Sequence, residues 1–397
     1  MNRPALLSLF LALCACGFAQ EPRNIGVVDI GVDNRTIPVR VSSDRPELNS
    51  LAQQAFGSHG RYRVVAAGYR YDIRFSLAGA DAVEVDVNGP EGQPLAAETV
   101  PGTSERNALL RAADFAVERT NGLGLRGFFA SKLVCIGERT GHKEIYVGDL
   151  YFGNLRQITN DRAIAMTPRW SPDGRKILYT SFYHSGFPDL FVIDLSTYER
   201  TTFASFRGTN SGGRYSPDGQ RVAMVLTGEG NPEIYVSNAQ GRGVSRRTRY
   251  DSVKSSPCWS PDGREIVFAS GNPDPQLYVI PASGFGAMRR ITHGISFYCA
   301  EPDWSRADPD KIALTAWVGG SYQIVVLSVS SGQWKQVSHA PFDGIEPSWL
   351  ADGRHLVYTA RDRTRSRVCI LDTETGKSTP LSPLSFGSTL QANVWAP

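Results

Sequence analysis

Neither sign of charge dominates this 397-residue chain: 42 Lys and Arg stand against 39 Asp and Glu, a formal net charge of +3. It has no lysine–arginine run and no basic stripe, which excludes nucleic acid as the expected partner. Long apolar runs are missing as well. Past Pro4–Leu13, nothing approaches the roughly eighteen consecutive apolar residues of a permanent membrane helix. Cysteine is scarce, and the four outside the N-terminal segment (Cys135, Cys258, Cys299, Cys369) lie far apart with no C-x-x-C or Cys/His spacing. They read as buried free thiols rather than zinc ligands. Catalytic signatures are lacking too. There is no G-x-S-x-G elbow, no H-E-x-x-H, no P-loop and no G-x-G-x-x-G following a strand. The six histidines His59, His142, His184, His293, His339 and His355 are scattered, showing neither a metal set nor a relay. No enzyme activity, cofactor or metal is expected.

What the chain does have is glycine (39) and proline (24), spread evenly as in a protein of many short strands and tight turns. Residues 1–19 read as a signal peptide, with Arg3 in the n-region, Pro4–Leu13 as the apolar core and Gly17-Phe18-Ala19 as the cleavage site. Leu13-Cys14-Ala15-Cys16 also resembles a lipoprotein box, which would leave Cys16 lipidated, but the cleavage site favours plain secretion.

The dominant signal is an internal repeat. Trp170-Ser-Pro-Asp173-Gly174 recurs as Tyr215-Ser-Pro-Asp218-Gly219 and Trp259-Ser-Pro-Asp262-Gly263. Eroded copies begin at Trp304 and Trp349, and a last one, Trp395-Ala-Pro397, stops with the chain. The aromatic positions are 45, 44, 45, 45 and 46 residues apart. In each unit the aromatic ends one strand and Ser-Pro-Asp-Gly makes the turn: Pro presets φ, Asp bonds local backbone and Gly accepts positive φ. The Asp residues are therefore turn formers rather than ligands or acids. Two apolar strands and a more polar fourth follow, so each period is one propeller blade. Leu133–Ile136 opens the array without its own first strand, and Trp395 closes it without followers. The last strand is thus expected to complete the first blade, giving a six-bladed β-propeller over 127–397.

Residues 20–126 read as a small α/β domain. Strands are expected at Ile37–Val41, Tyr62–Val65, Tyr71–Phe75 and Val83–Val87, with helices at Pro46–Phe56 and Glu105–Thr120. Ser104 caps the second helix and Leu109, Ala112, Ala113 and Ala116 form its apolar face. Asn24–Asp33 reads as a first strand or as a peptide that a partner captures by strand addition.

The signal segment, the α/β domain, a helix running into Leu-Gly-Leu-Arg-Gly-Phe-Phe, six W-S-P-D-G-type units and the terminal Trp-Ala-Pro together resemble the TolB family, over nearly the whole chain. The resemblance implies a monomeric, periplasmic, non-catalytic component of the Tol-Pal system, acting in envelope integrity and outer-membrane invagination at division. It also implies two partners. A Pal-like peptidoglycan-associated lipoprotein would bind at the propeller mouth, and a TolA-like inner-membrane protein would bind the N-terminal peptide, here Val28, Asp29, Gly31, Val32 and Asp33. The α/β domain looks shorter than the family's, and the eroded turns look cosmetic for the fold. Mouth positions precede each aromatic: Asn210, Ser211, Lys254, Ser255, Glu301, Asp343, Glu346 and Gln391. Glu301 and Glu346, in neighbouring repeats, would receive a partner's cations or N–H groups; otherwise they bond neighbouring strands. An exported propeller hydrolase or lyase acting on envelope polymers, and a TolB-like scaffold with another partner, are the alternatives.

Overall fold

A computed structural model describes residues 36–396. The signal segment, Cys16 and the peptide Val28–Asp33 lie outside the described residues. Strand β1 (Ile37–Ser43) leads through helix α1 (Pro46–Ser58) to β2 (Tyr62–Val64), then β3 (Tyr71–Gly79), β4 (Ala82–Asn88), β5 (Pro94–Pro101) and helix α2 (Glu105–Thr120). They form one sheet of order β2-β1-β3-β4-β5. β1 pairs parallel with both β2 and β3, as a helical crossover requires, whereas β3-β4-β5 is an antiparallel meander.

Both helices form where the spacing predicts. Ser104 Oγ accepts the Asn107 N–H at 3.2 Å, capping α2, whose Leu109, Ala112, Ala113 and Ala116 are buried. Helix α1 starts at Pro46 with no side-chain cap and runs through Gly57 to Ser58, past the expected stop. β5 escapes sequence reading because Pro-Leu-Ala-Ala-Glu-Thr-Val-Pro is poor in β-branched residues and almost wholly exposed.

Six four-stranded sheets follow. The inner strands of blades 2 to 6 are Ala165–Trp170, Asn210–Tyr215, Lys254–Trp259, Cys299–Trp304 and Asp343–Trp349. The inner strand of blade 1 is the C-terminal segment Thr389–Trp395, paired antiparallel with Lys132–Gly137. The ring is therefore closed by its two ends, leaving no open edge at the seam. The register corrects one detail. Val394, not Trp395, sits opposite Leu133, as Trp170 sits opposite Ile177. The final interval of 46 is thus a true repeat of 45 plus one residue. The extra residue sends Trp395 onto the first turn, where its indole N–H donates to the Pro172 carbonyl at 2.9 Å and a Cβ at Gly174 would meet its ring at 2.4 Å.

The aromatics staple neighbouring blades. The indole N–H of Trp259 donates to the Arg214 carbonyl and that of Trp349 to the Asp303 carbonyl, both at 2.9 Å, while Trp170 reaches the Asn393 carbonyl at 3.2 Å. The three intact turns share one geometry. In the first, Ser171 Oγ donates to Asp173 at 2.5 Å, Asp173 accepts the Arg175 N–H at 3.1 Å, and Gly174 has φ of 67°. Asp218 and Asp262 repeat these bonds, so all three acids serve the turn. The four cysteines are buried and unpaired. No helix among the described residues is long and apolar enough to cross a membrane.

Candidate functional site

The channel wall is organised at the position three residues before each blade's register residue, an aromatic in blades 2 to 6 and Val394 in blade 1. Thr167, Gly212, Ser256, Glu301, Glu346 and Gln391 all have left-handed φ, between 49° and 64°, and all lie at a bulge in the inner strand. Only one is glycine, so five side chains hold a costly backbone conformation. At four of the six positions, Thr167, Gly212, Glu346 and Gln391, the bulge frees the backbone N–H to point across the blade boundary. The Glu346 N–H donates to Glu301 Oε2 at 3.0 Å, the Gln391 N–H to Thr359 Oγ1 at 2.9 Å, and the Thr167 N–H to Gln391 Oε1 at 2.7 Å. Thr315 Oγ1 donates to Glu301 at 2.7 Å, Thr359 Oγ1 to Glu346 at 2.9 Å, and Gln391 Nε2 to Glu346 Oε1 at 2.8 Å. Glu301, Glu346 and Gln391 thus form one hydrogen-bonded arc around the channel. Burial, and next to it the charge of Glu346, pushes the Glu301 carboxyl up to about 7.

The other positions selected from the sequence fall into two groups. Ser211, Ser255 and Asp343 remain open, Asp343 bonding Arg361 at 3.0 Å. Asn210 and Lys254, expected at the mouth, are buried instead. Each inner strand begins beside the third strand of the preceding blade, and these two side chains fill that junction. Asn210 Nδ2 donates to Asp189 at 3.1 Å, and Lys254 Nζ pairs with Glu233 at 3.1 Å.

The two ends of the channel differ. Loops entering the inner strands gather at one end, together with the hairpins between second and third strands. Most of the exposed large apolar side chains among the described residues sit there, including Tyr183, Phe187, Phe206, Tyr250 and Phe297. The opposite end carries the Ser-Pro-Asp-Gly turns and receives the α/β domain. Gly124 and Arg126, in the joint between α2 and the propeller (residues 121–126), line a cavity of about 480 Å³ there, with Ser131, Arg169, Arg214 and Arg306.

The domains are fastened on that side. Arg106 pairs with Asp149 at 2.6 Å, Ser58 Oγ meets Tyr151 Oη at 3.1 Å, and Asp114 accepts the N–H groups of Phe129 and Ala130 at 2.6 and 3.0 Å. Phe128 and Phe129, fully buried, join the two cores into one cluster. The expectation that no histidines converge is overturned here. His59, after α1, packs its ring 4.3 Å from that of His355 in blade 6, and Phe128 completes the triangle, stacked on His59 at 5.1 Å and 4.8 Å from His355. His355 Nδ1 bonds Asp352 Oδ2 at 2.6 Å, and His59, Asp352 and His355 are a group whose ligand atoms could hold a metal ion. Nor is the eroded fifth turn cosmetic. Its Leu350 joins the interdomain core and its Asp352 orients His355, so the motif is lost where the α/β domain docks. A contact between residues so far apart in sequence gave no periodic signal, but the erosion itself marked the place.

A six-bladed propeller sealed by its C-terminal strand and capped at one mouth by a five-stranded α/β domain defines a class of repeat protein built to present a channel and two mouths. The sequence profile of the TolB beta propeller domain matches residues 121–397. The chain belongs to the TolB β-propeller family. It is 32% identical over 296 residues to the Tol-Pal system protein TolB of Bordetella pertussis, covering 68% of this chain and 64% of that protein. It is 35% identical over 147 residues to the protein TolB homolog of Chlorobium chlorochromatii, covering 37% of this chain and 33% of that one. The aligned parts therefore span between a third and two-thirds of these relatives. TolB from Acinetobacter baumannii shares the fold with a TM-score of 0.78 at 23% identity, over 93% of this chain and 99% of that one.

Proposed function

We propose that the protein is a non-catalytic periplasmic adaptor of the Tol-Pal system. In this reading it captures a Pal-like peptidoglycan-associated lipoprotein at the mouth remote from the α/β domain. A TolA-like protein takes the N-terminal peptide Val28–Asp33, coupling the envelope layers as the outer membrane is drawn in at division. The observation that carries the first contact is the collection of exposed aromatics on that rim, since exposed apolar patches of this kind mark protein interfaces. Ser211, Ser255, Glu301, Asp343, Glu346 and Gln391 lie deeper, where they supply a polar floor. Family membership supports the rest. The test is capture from envelope extracts with the tagged protein, followed by identification of what is retained. Recovery of a peptidoglycan-linked lipoprotein supports the adaptor; a folded protein that recovers none, or another partner, contradicts it.

The raised Glu301 carboxyl beside Glu346 is the one feature that favours a hydrolase or lyase, because a carboxyl that keeps its proton near neutral pH can act as a general acid. Both carboxylates are engaged by blade-to-blade hydrogen bonds, which favours the adaptor. Turnover of cell-wall fragments or peptide libraries, lost in Glu301→Gln, would reverse that preference.

A further inference from the structure

Four guanidinium groups, those of Arg126, Arg169, Arg214 and Arg306, line the cavity under the α/β domain against two carboxylates, Asp303 and Asp352. Both carboxylates are already committed. Asp303 takes the guanidinium of Arg214 and the Trp349 N–H at 2.7 Å. Asp352 takes His355 Nδ1 at 2.6 Å and the N–H groups of Arg354 and His355. Arg169 donates only to the Pro168 carbonyl, at 3.3 Å, and no ion pair among the described residues includes Arg169 or Arg306. Burial and the charge of Arg214 pull the Arg169 guanidinium down to about 10, against the opposing charges of Glu346 and Glu301, while Arg306 stands exposed at the cavity edge.

The position of Arg169 and Arg214 makes this surplus informative. Each stands one residue before the register aromatic of its blade. At that position three other blades place an acceptor for the backbone N–H of the next blade's aromatic. Asn393 serves Trp170 at 3.0 Å, Cys258 serves Trp304 at 3.2 Å, and Asp303 serves Trp349. A guanidinium has no acceptor. Blades 2 and 3 forgo the blade-to-blade bond and put a cation into the channel end instead. Arg214 meets Asp303, but Arg169 has no carboxylate within ion-pair distance among the described residues, and a partly buried charge so placed is unfavourable; a local rule broken in this way marks a site.

We propose that this cavity binds a dianionic oxyanion, held by Arg169 and Arg306 with Arg214 alongside. Guanidinium groups present paired N–H donors that match phosphate or carboxylate oxygens. Because the joint between the domains lines the same cavity, the bound anion also ties that joint to the propeller.

The experiment titrates the chain lacking residues 1–19 with inorganic phosphate, at an ionic strength held constant with sodium chloride. It is followed by calorimetry and by thermal melting. One saturable site is expected, with a rise in the melting midpoint that chloride does not reproduce and for which malonate competes. Arg169→Gln and Arg306→Gln should each weaken binding about tenfold or more, the worth of one charge-assisted contact. In phosphate-free buffer both should melt no lower than the parent, because each relieves a crowded set of like charges. Absence of a saturable site, or unchanged binding in both variants, would overturn the proposal.

Discussion

His59 and His355 meet ring to ring with centroids 4.3 Å apart, and each leaves its Nε2 buried without a hydrogen-bond partner. The pair sits where the α/β domain rests on blade 6. Asp352 and Asp372 face it on one side, and Arg354, bound to Asp372 at 2.6 Å, flanks it. A neighbour as close as Gly60, whose Cβ would lie 2.1 Å from Asp372, shows how little room the contact leaves.

This arrangement makes stability depend on pH with a definite sign. Burial, and after it the charge of His355, holds His59 well below its ordinary 6.5. The unfolded chain therefore binds a proton near pH 6.5 that the folded chain refuses, so the contribution is present above that pH and lost as pH falls below it. The melting midpoint should drop between pH 7 and pH 5, and His59→Phe, which keeps the ring packing, should flatten the drop. A variant with the parent's slope would remove His59 as its source.

Glu301 acts in the opposite sense. With its carboxyl raised from 4.5 to about 7, the folded chain keeps a proton that the unfolded chain releases. Its contribution is complete below about pH 4.5 and lost as pH rises through about 7. Glu301→Gln, mimicking the protonated form, should gain about 1 kcal/mol or more on the parent between pH 5 and pH 8 in denaturant titrations. An equal difference at both values would show that Glu301 does not titrate in this window.

The seam has its own test at Asn393. Its Oδ1 accepts the Trp170 N–H at 3.0 Å and its Nδ2 donates to Ser348 at 3.0 Å, linking blades 1, 2 and 6. Asn393→Leu leaves a buried N–H unpaired and should cost about 1–3 kcal/mol. Hydrogen exchange in 389–395 should quicken together with that in 132–137. Loss of protection in the first segment alone would mean that the two do not form one sheet.

The blades were legible in sequence because one turn chemistry recurs at nearly constant spacing, and the turn bonds of Asp173, Asp218 and Asp262 follow directly from Pro-Asp-Gly. Legibility stopped where a residue broke phase or paired across distance. Trp395 mimics the repeat yet lies one place beyond it, which only the pairing of Val394 with Leu133 reveals. Asn210 and Lys254 looked like mouth residues because they precede an aromatic, whereas a strand's first residue faces the junction with the preceding blade. The arc of Glu301, Glu346 and Gln391 is half visible in the sequence: its positions precede the aromatics at a fixed distance, but nothing signals the left-handed backbone that turns the Glu346 and Gln391 N–H groups toward the neighbouring blade. The convergence of His59 with His355 left a single trace in the sequence, the eroded turn after Trp349.

The proposed partner surface is the remote rim, and a binding isotherm tests it most directly. The soluble domain of a peptidoglycan-associated lipoprotein would be titrated into the parent, into Phe206→Ser with Tyr250→Ser on the rim, and into Trp334→Ser on an outer strand. The account predicts affinity lowered about tenfold or more by the rim pair, as for interface aromatics, with Trp334→Ser unchanged. Parental affinity in the rim variant would contradict it.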